Sequence, residues 1–177
     1  MTTAIVLAAG SSRRLGRPKQ LLTLGGETLV ARAARIAREA VGEVLVVIPS
    51  WSEGAGWPDD VRTLVNHQPE EGVASSIRLG VSACDDDILL VLCDQPRITA
   101  AHLRALAEAG APIAGTAYAG IVGVPAFFAR TYRDELLALR GDAGARRMIE
   151  AHRDVVRAIP FEDAAIDIDT EGDLQKL

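Results

Sequence analysis

Short apolar runs rich in Val and Ile alternate along this chain with longer stretches whose apolar positions recur at helical spacing. Residues 4–8, 43–48, 62–65, 88–92, 113–116 and 155–159 read as strands. The first, second and fourth of these are apolar on both faces, the pattern of strands at the centre of a sheet. Residues 28–40, 74–83, 99–109, 129–140 and 145–153 read as helices, with Thr99 as an N-cap and Gly110 as a C-terminal stop. This β-α alternation predicts an α/β architecture with a mostly parallel central sheet between helical layers, whose ligands bind beyond the carboxyl ends of the strands. The segment 49–60 is the best loop candidate, and with no long linker and no internal repeat the whole of 1–177 reads as one domain.

Composition narrows the class. The 177 residues are 49% hydrophobic and 24% charged with mean hydropathy +0.16, values of a globular chain that exclude intrinsic disorder and a disulfide-stapled miniprotein. Aromatics are only 4%, so Ala, Leu and Val must build the core. A net charge of -5 disfavours coating of nucleic acid. Cys84 and Cys93 lack zinc-site spacings and read as free thiols of a reducing compartment. The opening apolar run is short and has no basic leader, and no window approaches the roughly 18 apolar residues that span a bilayer. The expectation is a cytoplasmic protein with no membrane partner.

The chemistry concentrates after the first strand. Leu7-Ala8-Ala9-Gly10-Ser11-Ser12 offers small residues whose backbone N–H groups can line an anion site. Arg13, Arg14, Arg17 and Lys19 follow, and no acidic residue precedes Glu27. The stretch fits a polyphosphate, although it is neither the Walker pattern nor GxGxxG. Only two of the chain's 19 basic residues are Lys, so Lys19 stands out as a compact point charge for phosphate. The competing reading is an arginine-rich solvated loop.

A second centre lies at Cys93-Asp94-Gln95-Pro96, at the carboxyl end of the fourth strand. Asp94 is there the first expected ligand for Mg²⁺, against the alternative of a turn or capping role. Ile166-Asp167-Ile168-Asp169 alternates apolar and acidic positions, so Asp167 and Asp169 share one face. Asp169 is the expected second ligand and Asp167 the reserve, with a helix-capping role as the alternative. Between these centres, Asn66, the Gly72 backbone, Ser75 and Ser76 are candidates for reading a base or ribose edge, although a simple cap at Ser75 explains as much. His67, His102 and His152 have no partners that suggest a metal site or a triad.

Taken together, Leu7 to Lys19 resembles the LAAGxSxRxGxxK signature of the MobA-like nucleotidyltransferases, most closely their molybdenum cofactor cytidylyltransferase branch. Asn66 with Gly72 to Gly80, Cys93 to Pro96, Leu139 to Arg146 (GDxGAR) and Ile166 to Thr170 (IDxDT) are similar to further pieces of that family, in order along the chain. The resemblance implies a three-layer Rossmann-like nucleotidyltransferase fold. It also implies that CMP moves from CTP, with Mg²⁺, onto the terminal phosphate of molybdopterin, with pyrophosphate released. Arg14 and Lys19 would then be catalytic, Leu7 to Ser12 with Asn66, Gly72, Ser75 and Ser76 would bind nucleotide, and Asp94 and Asp169 would hold the metal. The Ala8-Ala9-Gly10 form resembles cytidylyl-transferring members, whereas guanylyl-transferring ones read Ala-Gly-Gly. A molybdoenzyme that receives the cofactor is the implied protein partner.

One departure concerns the acceptor side, where Gly123-Val124-Pro125 stands in place of the family's Gly-His-Pro. Guanylyl or other nucleotidyl transfer to another small phosphate is one alternative, and a non-catalytic nucleotide-binding partner of a molybdoenzyme is a second. An NAD-linked oxidoreductase would need GxGxxG and an acidic end to the second strand, which instead ends Val47-Ile48-Pro49.

Overall fold

A computed structural model describes residues 1–10, 18–52, 57, 61–168 and 171–174. In chain order the elements are β1 (Thr2–Leu7), β2 (Thr23–Leu24), β3 (Glu27–Thr28), α1 (Leu29–Val41), β4 (Glu43–Pro49), β5 (Arg62–Asn66), α2 (Val73–Ser82), β6 (Asp87–Leu92), α3 (Ala100–Ala107), β7 (Ile113–Tyr118), β8 (Ile121–Phe128), α4 (Arg133–Ala138), α5 (Ala145–Ala151), β9 (Val156–Pro160) and α6 (Glu171–Leu174). Seven strands form one sheet in the order β5-β4-β1-β6-β8-β7-β9, and β2 pairs with β3 in a separate ribbon. Among the described residues no helix is long and apolar enough to cross a membrane.

The central position of the three doubly apolar strands is borne out: β4, β1 and β6 lie side by side and pair in parallel. Alternation along β1 feeds two cores. Ala4, Val6 and Ala8 join Val30, Ala33 and Ala37 of α1 with Leu103 and Leu106 of α3 on one face. Ile5, Leu7 and Ala9 join Ala74, Ile77 and Val81 of α2, Leu136 of α4 and Met148 of α5 on the other. Both faces of the sheet are covered by helices, as parallel strands require. On the second face α2 approaches so closely that a Cβ at Gly80 would lie 2.4 Å from Ile5 Cγ2. Helix starts follow local chemistry: Thr28 and Thr99 each accept from the N–H three residues on, at 3.2 Å in both cases.

Two expectations need amendment. The region 129–140 is not one helix but a 3-10 turn at Arg130–Tyr132 followed by the short α4. Strand β8 escaped the sequence reading altogether, because Gly123 and Pro125 punctuate it, yet it lies inside the sheet, antiparallel to both β6 and β7. The register shifts there: Gly115 pairs with Ala126 but Thr116 pairs with Gly123, so Val124 and Pro125 bulge out of the ladder. Their carbonyls are satisfied from side chains instead, Val124 O by Gln95 Nε2 at 3.2 Å and Pro125 O by Thr116 Oγ1 at 2.6 Å. The bulge thereby meets the residue that follows Asp94.

Candidate active site

The carboxyl ends of β1, β4 and β6 and the segments after β5 and α4 surround a cavity of about 610 Å³. Leu7, Ala8, Ala9 and Gly10 form one wall, Lys19, Cys93 and Asp94 another, and Gly72, Ser76 and Asp142 a third. A cation and a carboxylate meet inside it: Lys19 Nζ donates to Asp94 Oδ2, with both side chains less than one-fifth exposed. The other carboxylate oxygen, Asp94 Oδ1, is buried and has no hydrogen-bond partner among the described residues. A charged oxygen left in that state is costly and calls for a cation or a donor.

The surroundings hold Asp94 in place from two sides. Gln95 is buried, and its Nε2 donates to Val124 O and, at 2.9 Å, to Ala164 O. The Asp94 carbonyl accepts from Ile168 N at 2.9 Å. Ile168 is wholly buried against Leu22 and Leu29, so the acidic tail segment is pinned beside Asp94 while Asp167 remains exposed. Asp169, the expected second ligand, lies outside the described residues, as do Ser11, Ser12 and Arg14. The structure thus brings Leu7, Ala8, Ala9, Gly10, Lys19, Gly72, Ser76 and Asp94 to one cavity.

Asn66 and the two serines are bonded to one another. Asn66 Nδ2 donates to both Ser75 Oγ and Ser76 Oγ at 2.9 Å, and Asn66 Oδ1 accepts from Gln68 N at 2.8 Å. Ser75 Oγ donates in turn to Gly72 O at 2.9 Å. These polar atoms fasten the β5-α2 connection to itself, and of the serines only Ser76 lines the cavity. Gly72 is the tight point, with φ +112° and a built Cβ that would stand 2.5 Å from Gly141 O and Asp142 Oδ1. Ala74 N donates to Gly141 O at 3.1 Å, so the GDxGAR turn is docked directly on this connection. Arg78 adds a brace, bonding Glu71 Oε2 at 2.6 Å and Leu139 O at 2.8 Å, and its guanidinium holds the Glu71 carboxyl below its ordinary range.

Residues 4–155 match the MobA-like NTP transferase domain. The chain belongs to that family. As a MobA-like protein it is 31% identical over 163 residues to the purine catabolism protein PucB of Bacillus subtilis, covering 83% of this chain and 80% of that one. Over 196 aligned residues it is 31% identical to the nicotine blue oxidoreductase of Paenarthrobacter nicotinovorans, covering 99% and 95% of the two chains. A Synechococcus elongatus protein named "Probable molybdenum cofactor guanylyltransferase" is 35% identical over 113 residues, 58% of this chain and 55% of that one. Among solved structures, Rv0371c of Mycobacterium tuberculosis superposes with a TM-score of 0.86 at 32% identity, covering 99% of this chain and 95% of that chain. Rv0371c has also been solved in complex with manganese, and that form superposes at 0.81.

In this MobA-like domain several cavity residues carry no motif signal that single-sequence reasoning can use. Gln20 is buried, and its Nε2 donates to Ala8 O at 2.9 Å and Gly10 O at 3.3 Å, which ties the far end of the phosphate segment back onto β1. Trp51 lines the cavity from the end of β4, and Asp142 does so from the docked turn. Asp142 is the acidic residue of the GDxGAR piece, and its place there is its signal in the sequence. The Cys93 thiol sits beside Asp94 but is buried, which pushes its pKa far up and keeps it inert.

Proposed function

We propose that this protein transfers CMP from CTP to the terminal phosphate of a molybdopterin-type acceptor and releases pyrophosphate. The observation that carries the reading is the Asp94 carboxylate in the cavity wall, one oxygen on Lys19 and the other buried without a partner among the described residues. Such an oxygen fits a hard divalent cation, which takes carboxylate oxygens and keeps the rest of its shell for phosphate and water. Asp94 would hold Mg²⁺, with Asp169 as the second carboxylate, one residue beyond the Ile168 amide that bonds Asp94. When bound, the ion supplies neutralisation of phosphate charge.

The chain's own residues account for the rest. Backbone amides along Ala9 to Ser12 cradle the β- and γ-phosphates, with Arg14 and Lys19 balancing their charge. Lys19 exchanges Asp94 for a phosphate oxygen once the nucleotide enters. Asn66, Gly72, Ser75 and Ser76 shape the pocket for base and ribose. An ionised acceptor phosphate is already a nucleophile, so no general base is required. In-line attack forms a bond from the acceptor oxygen to the α-phosphorus and breaks its bond to the bridging oxygen, and the electron pair leaves with pyrophosphate.

The test is a screen of purified protein with CTP and GTP, with and without phosphate-bearing acceptors, that reads both binding and pyrophosphate formation. The expected result is metal-dependent pyrophosphate release that requires acceptor and favours CTP. Preference for GTP would move the protein to guanylyl transfer, the activity in the name of its Synechococcus relative. Tight nucleotide binding with no release on any acceptor would make it a non-catalytic nucleotide-binding partner.

A further inference from the structure

Among the described residues the exposed large apolar side chains are Met1 and Trp51, and Trp51 is 52% exposed in a chain with only 4% aromatics. A lone exposed apolar residue means little in itself. Trp51, however, lines the 610 Å³ cavity that holds Asp94 and Lys19. Sheet order says which part of a ligand it faces. Strand β4 lies between β5 and β1, and β6, which delivers Asp94, lies on the far side of β1. Trp51 therefore stands on the β5 side of the cavity with Gly72 and Ser76, where the transfer reading puts base and ribose, and two strands away from Asp94.

We propose that Trp51 is the stacking platform for the nucleobase, a binding residue for the same nucleotide that the transfer reading requires. Stacking suits the other groups there: both hydrogens of the Asn66 amide go to Ser75 and Ser76 and its oxygen accepts from Gln68 N, so an aromatic face supplies grip on a base that this amide does not. A Trp face accepts any base, so it supplies affinity, and discrimination between bases falls to the neighbouring backbone.

The experiment measures calorimetric affinities of wild type, Trp51→Ala and Trp51→Phe for CTP and for inorganic triphosphate, which carries the charges without a base. Trp51→Ala should weaken CTP by on the order of 10- to 100-fold, Trp51→Phe should recover most of that loss, and triphosphate should bind all three alike. Equal weakening of CTP and triphosphate, or unchanged CTP affinity in Trp51→Ala, would overturn the assignment while leaving the transferase reading intact. Unchanged CTP affinity with a raised acceptor KM would give the platform to the acceptor ring and overturn the base assignment. Failure of the wild type to bind any nucleotide would sink the transferase reading and this inference with it.

Discussion

Lys19 and Asp94 form an ion pair whose second function lies outside the pair. With Nζ on Oδ2, the lysine neutralises a carboxylate that is mostly shielded from water. Lys19→Ala is expected to slow transfer by about 1.5–3 kcal/mol, the range for a hydrogen bond to a charged group, and also to lower stability by about 1–2 kcal/mol because Asp94 is stranded. Adding Asp94→Asn to that variant should recover part of the stability and abolish metal-dependent turnover. Urea unfolding of the single and double variants checks the first half and pyrophosphate release the second; full activity in Lys19→Ala would reduce the pair to a structural contact. His102 is the other informative residue. Its Nε2 lies 2.9 Å from Thr116 Oγ1, its ring stacks on Phe161 with centroids 4.4 Å apart, and burial pushes its pKa down from 6.5 to about 4. The folded state disfavours the protonated form, so His102 costs nothing above the unfolded pKa. As pH falls through the window from 6.5 to 4, the unfolded state takes up the proton first and stability is lost. Between pH 7 and 5 the loss is about 2 kcal/mol. Urea unfolding at the two pH values should show it in the wild type and a flatter profile in His102→Asn; equal slopes would count against the assignment.

At the scale of elements, the site depends on how connections dock on one another. Gly72 combines a positive φ with contact against the turn at Gly141 and Asp142. Gly72→Ala should destabilise by about 1–3 kcal/mol through strain and displacement of that turn, and should weaken nucleotide binding too, because both segments line the cavity. Thermal melting beside CTP titration tests this; a melting point and an affinity both unchanged would refute the docking argument. The acidic tail is a second case. Ile168 is buried and its amide donates to the Asp94 carbonyl, which fixes the start of the acidic tail beside the proposed ligand. Asp169→Asn should shift the Mg²⁺ dependence of turnover more than Asp167→Asn. If Asp167→Asn abolishes activity while Asp169→Asn stays normal at every Mg²⁺ concentration, the ligand register is wrong by two residues.

For the whole molecule, the two apolar cores on either side of β1 hold the fold, and the polar cavity lies at the sheet edge. Chelation should therefore stop pyrophosphate formation yet leave the melting point of nucleotide-free protein within a degree or so. CTP with Mg²⁺ at about 100 times its dissociation constant should add about 2.7 kcal/mol by mass action. A large drop in melting point on chelation alone would mean that the ion also holds the fold together.

The elements that sequence by itself determined are those whose signal is local. The doubly apolar runs in β1, β4 and β6 announced the sheet centre, Thr28 and Thr99 sit where helices begin, and Leu7 to Gly10, Lys19 and Asp94, singled out by local pattern, line one cavity. Periodicity, capping and the end of a buried strand are all properties of neighbours in the chain. Tertiary structure alone decided the rest. Strand β8 exists because β6 and β7 hold it on both sides despite Gly123 and Pro125, and the carbonyls that its bulge frees are met by Gln95 and Thr116. Gln20 became a staple, Asn66 a self-contained knot with its serines, and Trp51 a cavity wall through partners or packing that the chain reaches only when folded. The physical reason is the same in each case: a polar or aromatic side chain carries the same label on the surface or in a site, and long-range contacts, absent from any local window, settle which of its groups remain open to a ligand.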